Sequence, residues 1–178
     1  MAKATDPIVI GKRTAKNRVT MAPTVKFIAG EDGRVTEDFV AHYAERAKHQ
    51  CAFICVEATC VAKEARLAPS QLGLWEDGQI EGHRKLTDAC HEYDTLVVPQ
   101  LHYGGLGTHP ACGPLVGPSK MVREAFGQKS EVKELSRRTS GASWGSLPLR
   151  RCGPGRRATT GCSSTPATAT SSTTSPPG

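Results

Sequence analysis

Ala52-Phe53-Ile54-Cys55-Val56, stopping at Glu57-Ala58-Thr59, decides the fold. A short continuous apolar run of this kind is how a strand buried on both faces reads, and such strands belong to parallel sheets. Forty residues on, Thr95-Leu96-Val97-Val98-Pro99-Gln100-Leu101 has the same character. Upstream, Asn17-Arg18-Val19-Thr20-Met21-Ala22-Pro23 reads as a strand stopped by its proline, which cannot donate to a ladder. Between the first two runs lies a loop with Glu31-Asp32-Gly33 as its turn. A helix follows. Thr36 is a good N-cap, Glu37 and Asp38 suit the positive end of the helix dipole, and Phe39, Val40, Tyr43, Ala44 and Ala47 recur at helical spacing.

Between the second and third runs, Asp77 is a cap for a helix through about Glu92, with Ile80, Leu86 and Cys90 inward and Asp94 in a left-handed turn after it. Ile8-Val9-Ile10-Gly11 is a short β-prone segment ending at a turn glycine. The order β-α-β-α-β predicts parallel strands joined by right-handed crossovers. Residues 17–22, 52–57 and 96–101 are expected to be neighbours in one sheet. A doubly wound sheet and a (β/α)8 barrel both begin this way. The first βα loop has no G-x-G-x-x-G, which weighs against a dinucleotide-binding sheet.

In either architecture ligands gather at the carboxyl ends of the strands. Those ends are Ala22-Pro23-Thr24, Glu57-Ala58-Thr59 and Gln100-Leu101-His102. Taken alone, Gln100 reads equally well as a strand-end amide satisfied for structural reasons.

The 23 Lys and Arg against 17 Asp and Glu give a formal charge of +6. Six of those arginines (137, 138, 150, 151, 156 and 157) lie in the last 42 residues, and removing them leaves 17 basic against 17 acidic residues. The basic balance therefore belongs to the tail, and the rest gives no electrostatic sign of a nucleic-acid partner. No run of about 18 apolar residues marks a membrane span. Met1 to Ile10 lacks the apolar stretch of a signal peptide, so a cytoplasmic location is expected. The seven cysteines contain no C-x-x-C pair, and Cys51, Cys55 and Cys60 lie in or beside an apolar run. They read as reduced core residues, not metal ligands.

The chain changes character at Ser136. From Arg137 to Gly178 there is no Asp or Glu, and Ser, Thr, Pro, Gly, Ala and Arg dominate. Two domains are expected: a folded part over residues 1–136 and a low-complexity, disordered tail over 137–178.

Several ordered motifs over about Pro7 to Ser136 resemble the old yellow enzyme family. Lys16-Asn17-Arg18-Val19 followed by Met21-Ala22-Pro23 resembles its first barrel strand. Asp32-Gly33-Arg34-Val35-Thr36, His42-Tyr43 and Arg46-Ala47 resemble the next loop and helix. Val56-Glu57-Ala58 and Gln100-Leu101-His102-Tyr103-Gly104-Gly105 resemble the second and third strand ends. Pro118-Ser119 resembles a later Pro-Ser, and Glu134-Leu135-Ser136 the segment opening the next helix. The resemblance implies the N-terminal part of a (β/α)8 TIM barrel that holds FMN at its carboxyl end. It implies hydride transfer from NAD(P)H through the flavin to the activated double bond of an enone, enal or enoyl thioester. Ala22, Pro23 and Thr24 would line the flavin ring with backbone groups, Ala58 would pack beside it, and Gln100 would hydrogen-bond its pyrimidine edge.

The sequence departs from the family at Val25, where some members have a flavin-tuning Cys or Thr, at Phe27 (Tyr in some) and at Leu106 (Arg in many). His102 and His109 do not match the substrate-anchoring pair, and no catalytic residue is assigned.

After Ser136 the family continues with a helix, a strand and an H-x-x-H-G-Y motif. Back-translated with suitable synonymous codons and read one frame over, Ala158 to Ser175 gives YDGVQLHTCHGYLLHHL, which resembles the missing strand and motif. The tail is therefore read as a frameshift near Ser136 to Arg138, with a natural disordered linker, which the composition also fits, as the alternative. Two classes follow: a truncated FMN ene-reductase, inactive as it stands, or a non-enzymatic fragment that docks as a half-barrel to another chain. Visible flavin absorbance of the purified protein separates them.

Residues 137–178 bury too little apolar surface to offset a backbone entropy of about 1–2 kcal/mol per ordered residue. Limited proteolysis is expected to trim the chain rapidly to near Ser136. A protease-resistant tail with stoichiometric flavin would contradict both the frameshift and the inactivity.

Overall fold

A tight hairpin opens the chain. β1 (Ile8–Ile10) runs antiparallel to β2 (Arg13–Ala15), and Gly11 between them takes φ 61°. The turn glycine is where the sequence places it; β2 has too little apolar alternation to be anticipated. The computed structural model describes residues 1–125 and 128–135.

β3 (Thr20–Met21) is shorter than the expected strand. Asn17 is the reason. Its side chain accepts from the Val19 amide at 2.8 Å and donates to the Gln50 carbonyl at 2.8 Å, turning residues 17–19 into a local bend. Ladder pairing starts only where the Ala52 amide donates to the Val19 carbonyl, at 3.0 Å.

α1 (Glu37–Lys48) starts at Thr36, whose Oγ1 accepts from the Phe39 amide at 3.2 Å. Its inward face is Phe39, Tyr43 and Ala47, each fully buried. The chain then enters β4 (Phe53–Cys60), an eight-residue strand with Ile54 and Val56 in the core. Gly33, in the loop between β3 and α1, interlocks with Trp75 in the loop after β4. Gly33 has φ 74°, and a Cβ there would meet the Trp75 ring at 2.3 Å, so both backbone and space demand glycine.

The second helix begins differently from the sequence reading. Glu76, not Asp77, is the cap, paired with Gln79 in a capping box over a single 3₁₀ turn, and α2 (Ile80–His91) continues from it. The Gln79 amide is favoured here because it also donates to the Asp32 carbonyl at 3.0 Å, tying the helix start to the previous loop. His83, Leu86, Thr87 and Cys90 face inward, while Ile80 is only half-buried. Asp94 takes the expected left-handed turn, φ 53°, into β5 (Leu96–His102).

β3, β4 and β5 form one parallel sheet in that order, with α1 and α2 as the crossovers. Phe39, Tyr43, Ile54, Val56, Leu86 and Val97 make the core between helices and sheet. Cys51, Cys60 and Cys90 are buried free thiols; burial pushes the Cys90 thiol up to about 12. Beyond β5 lies a second small sheet that the sequence reading did not contain. β6 (Val116–Gly117) runs parallel to β8 (Gln128–Glu134), which pairs antiparallel with β7 (Met121–Ala125). Glu134 and Leu135 thus finish a strand pairing. The expected tail lies outside the described residues.

The core makes one direct demand. Phe39→Ala removes a fully buried ring from between α1 and β4. Urea unfolding is expected to show a loss of about 3–5 kcal/mol, against less than 1 kcal/mol or so for a substitution at exposed Ala41.

Candidate functional site

Because β3, β4 and β5 are parallel, their carboxyl ends share one edge of the sheet. Register fixes what meets there. Met21 pairs with Ile54 and Ala58 with Gln100, so Pro23 and Thr24, two and three residues past Met21, come level with Val56 and Glu57 of β4. All five residues singled out in the sequence therefore stand at the same end. Ala22, Thr24 and Gln100 are exposed, Pro23 is half-buried, and Ala58 is 5% exposed. Among the described residues the Gln100 side chain makes no hydrogen bond. The backbone amides of Thr24 and Val25 also donate to no described residue. An edge with a free carboxamide and free backbone donors suits a planar heterocycle with alternating donors and acceptors, as a flavin has.

β4 does not reach this edge as a regular strand. The register shifts between Val56 and Ala58, leaving Glu57 as the extra residue of a β-bulge. A bulge turns a side chain to the face it would not otherwise meet. Here it sends Glu57 toward α1, where it is fully buried. The Glu57 amide, out of the ladder, donates to the Tyr43 hydroxyl at 3.0 Å. The carboxylate Oε2 accepts from that hydroxyl at 3.4 Å and from the Lys26 amide at 3.1 Å. Oε1 is buried with no partner among the described residues. Burial raises the Glu57 pKa, only partly opposed by the Lys26 and Phe27 amides, the Tyr43 hydroxyl and the Lys26 charge. Burial likewise pushes the Tyr43 phenol far above its usual range. Beside it His42 is held low by burial and by Arg46 and Lys26, and its ring packs edge-on to Tyr43.

Sequence reasoning treated Glu57 only as the polar end of a strand. The available signal was a carboxylate inside the otherwise apolar Phe53–Cys60 run, since a fully buried Glu is rare unless paired. His102 has a local partner. Its Nδ1 lies 3.5 Å from the amide of the buried Gln71, which also donates to the Ala58 carbonyl at 2.7 Å. Among the described residues no cluster of His, Cys, Asp and Glu could hold a metal ion, and no helix is long and apolar enough to cross a membrane.

The raised Glu57 pKa has a definite sign in stability. The native state holds that proton more tightly than the unfolded chain, so the contribution is full below pH 4.5 and is lost as pH rises through the folded value. Urea unfolding from about pH 4.5 to 7 should show a downward component that Glu57→Gln removes. An unaltered pH profile in that variant would refute the assignment.

Residues 5–138 match the sequence model of the NADH:flavin oxidoreductase / NADH oxidase family. Over 100 residues the chain is 38% identical to an NADPH dehydrogenase of Bacillus cytotoxicus, a stretch that makes up 56% of this chain and 29% of that protein. The chain thus spans less than a third of this curated relative. Its fold superposes on an old yellow enzyme homologue from Zymomonas mobilis with TM-score 0.71 and 27% identity, covering 82% of this chain and 44% of that one. A 2-naphthoyl-CoA reductase in complex with 2-naphthoyl-CoA shares the fold at TM-score 0.76 and 21% identity, covering 83% and 25%. The strand order β3-β4-β5 alone fits more than one parallel α/β fold. With these matches it is the opening arc of a (β/α)8 barrel, and the chain belongs to the NADH:flavin oxidoreductase / NADH oxidase family, that of the old yellow enzymes.

Proposed function

We propose that residues 1–135 form the ring-binding side of an FMN site in an oxidoreductase of the ene-reductase type. The observation that carries this reading is the shared edge, with Pro23, Ala58 and Gln100 brought together by the register of three parallel strands. Gln100 holds the polar edge of the heterocycle, the backbone of Ala22, Pro23 and Thr24 lies against the ring, and Ala58 leaves room for it. When bound, FMN supplies two-electron transfer from NAD(P)H to the activated C=C bond of an enone, enal or enoyl thioester. The residues of this chain orient the ring and keep its polar edge paired. In a (β/α)8 barrel the phosphate site comes from the last strands, and the described residues supply only the first three. The described residues therefore cover the ring half of the site.

A second reading is a half-barrel that docks to another chain. It is favoured by exposed apolar residues on the two outer strands of the sheet: Val19 beside β3 at 47% exposure and Leu101 in β5 at 49%. An open parallel edge is a template for further pairing.

A chimera distinguishes the two. Residues 1–135 replace the matching segment of the Bacillus cytotoxicus relative, and FMN is titrated while flavin fluorescence is followed. Tight binding is expected. Gln100→Leu should weaken it by about 5- to 150-fold, the effect of leaving one buried polar edge unpaired at roughly 1–3 kcal/mol. Equal affinities would end the role given to Gln100.

A further inference from the structure

We infer that Glu57 is a positioning residue, a buried latch that fastens the loop after β3 onto helix α1 and so fixes the backbone on which the flavin-lining residues sit. The inference rests on the functional reading above for its purpose, but its geometry stands independently. Glu57 leaves the β4 ladder through the bulge at Val56 and Ala58. Its Oε2 holds two elements distant in sequence: the Lys26 amide, 31 residues upstream, and the Tyr43 hydroxyl on α1. The same hydroxyl takes up the strand amide that the bulge released, at 3.0 Å. Four groups, the Glu57 Oε2 and amide, the Tyr43 hydroxyl and the Lys26 amide, are thus satisfied by one another.

What the latch holds is a segment with little other support. Pro23 to Lys26 belongs to no regular element. Phe27, next in the chain, has φ 55°, a left-handed conformation that a bulky side chain adopts only when its surroundings impose it, and its ring is 42% exposed. Free of the carboxylate, this turn is expected to relax, carrying Thr24 and Val25 with it. One oxygen does the work, in either protonation state, while the other oxygen has no partner among the described residues. A neutral carboxamide at this position therefore keeps the latch, whereas an apolar side chain of similar size abolishes it without leaving a buried charge.

The test uses trypsin on the full 178-residue chain with no flavin added. Cleavage of the peptide bond after Lys26 is compared with cleavage after Arg84 and Lys85, which lie inside α2 and report wider unfolding. Glu57→Leu is expected to raise the Lys26-to-α2 cleavage ratio about tenfold or more, and Glu57→Gln to hold it within about twofold of the natural chain. Tyr43→Phe, which cuts the α1 end, should fall between. A parallel rise at all sites, no rise, or a Gln variant as labile as the Leu variant each overturns the latch. Because no flavin is present, a failure of FMN binding would sink the functional reading and leave this result untouched.

Discussion

The structure turns on a carboxylate in the wrong place for a strand. Glu57 lies within an apolar run, and a regular strand would pair its amide with β5 and leave its charge with no donors. Taking an unpaired carboxylate out of water costs several kcal/mol. The bulge resolves this by rotating Glu57 to the helix side, where the Tyr43 hydroxyl and the Lys26 amide are waiting. The solution couples three elements at once. α1 must present Tyr43 at that level, the loop after β3 must bring its amides inward, and β4 must shift register. The shift in turn sets Ala58 opposite Gln100 and defines the edge where the strand-end residues meet.

A second set of ties holds the loop system on the same side. Arg66, only 7% exposed, has no carboxylate partner among the described residues. Its guanidinium donates to the carbonyls of Lys63 and Glu31 at 2.9 and 2.8 Å and lies 5.4 Å over the Trp75 ring. A planar cation with five donors suits a cage of carbonyls and an aromatic face better than lysine would. Trp75 also closes on Gly33, and Gln79 reaches back to Asp32. The loops after β3 and β4 are thus built against each other, which places rigid walls beside an open strand edge.

The open edge is what the proposed function rests on. Gln100, Thr24 and Ala22 are exposed where the sequence pattern alone would bury a parallel sheet on both faces. In a closed barrel the inner face is covered by the remaining strands. Exposed Val19, just before β3, and Leu101 in β5 are apolar residues of the kind that such closure would cover.

By itself the sequence determined the order β-α-β-α-β, the position of three parallel strands, the Thr36 cap, the Asp94 turn and the family. These rest on local signals: apolar runs, capping side chains and spacing along the chain. It also determined that Ala22, Pro23, Thr24, Ala58 and Gln100 fall toward the carboxyl ends of strands, where an apolar run closes, although β4 runs on to Cys60 and β5 to His102. Only the tertiary structure decided that Gln100 is left free, that β3 shrinks to two residues and that Glu76 displaces Asp77 as the cap. The β7–β8 pairing and the Glu57 bulge belong to the same class. Each of these depends on partners far away in the chain, such as Gln50 for Asn17, Asp32 for Gln79, and Tyr43 and Lys26 for Glu57. A hydrogen-bond partner 14 to 47 residues distant leaves no local trace in a sequence; only packing brings it within reach.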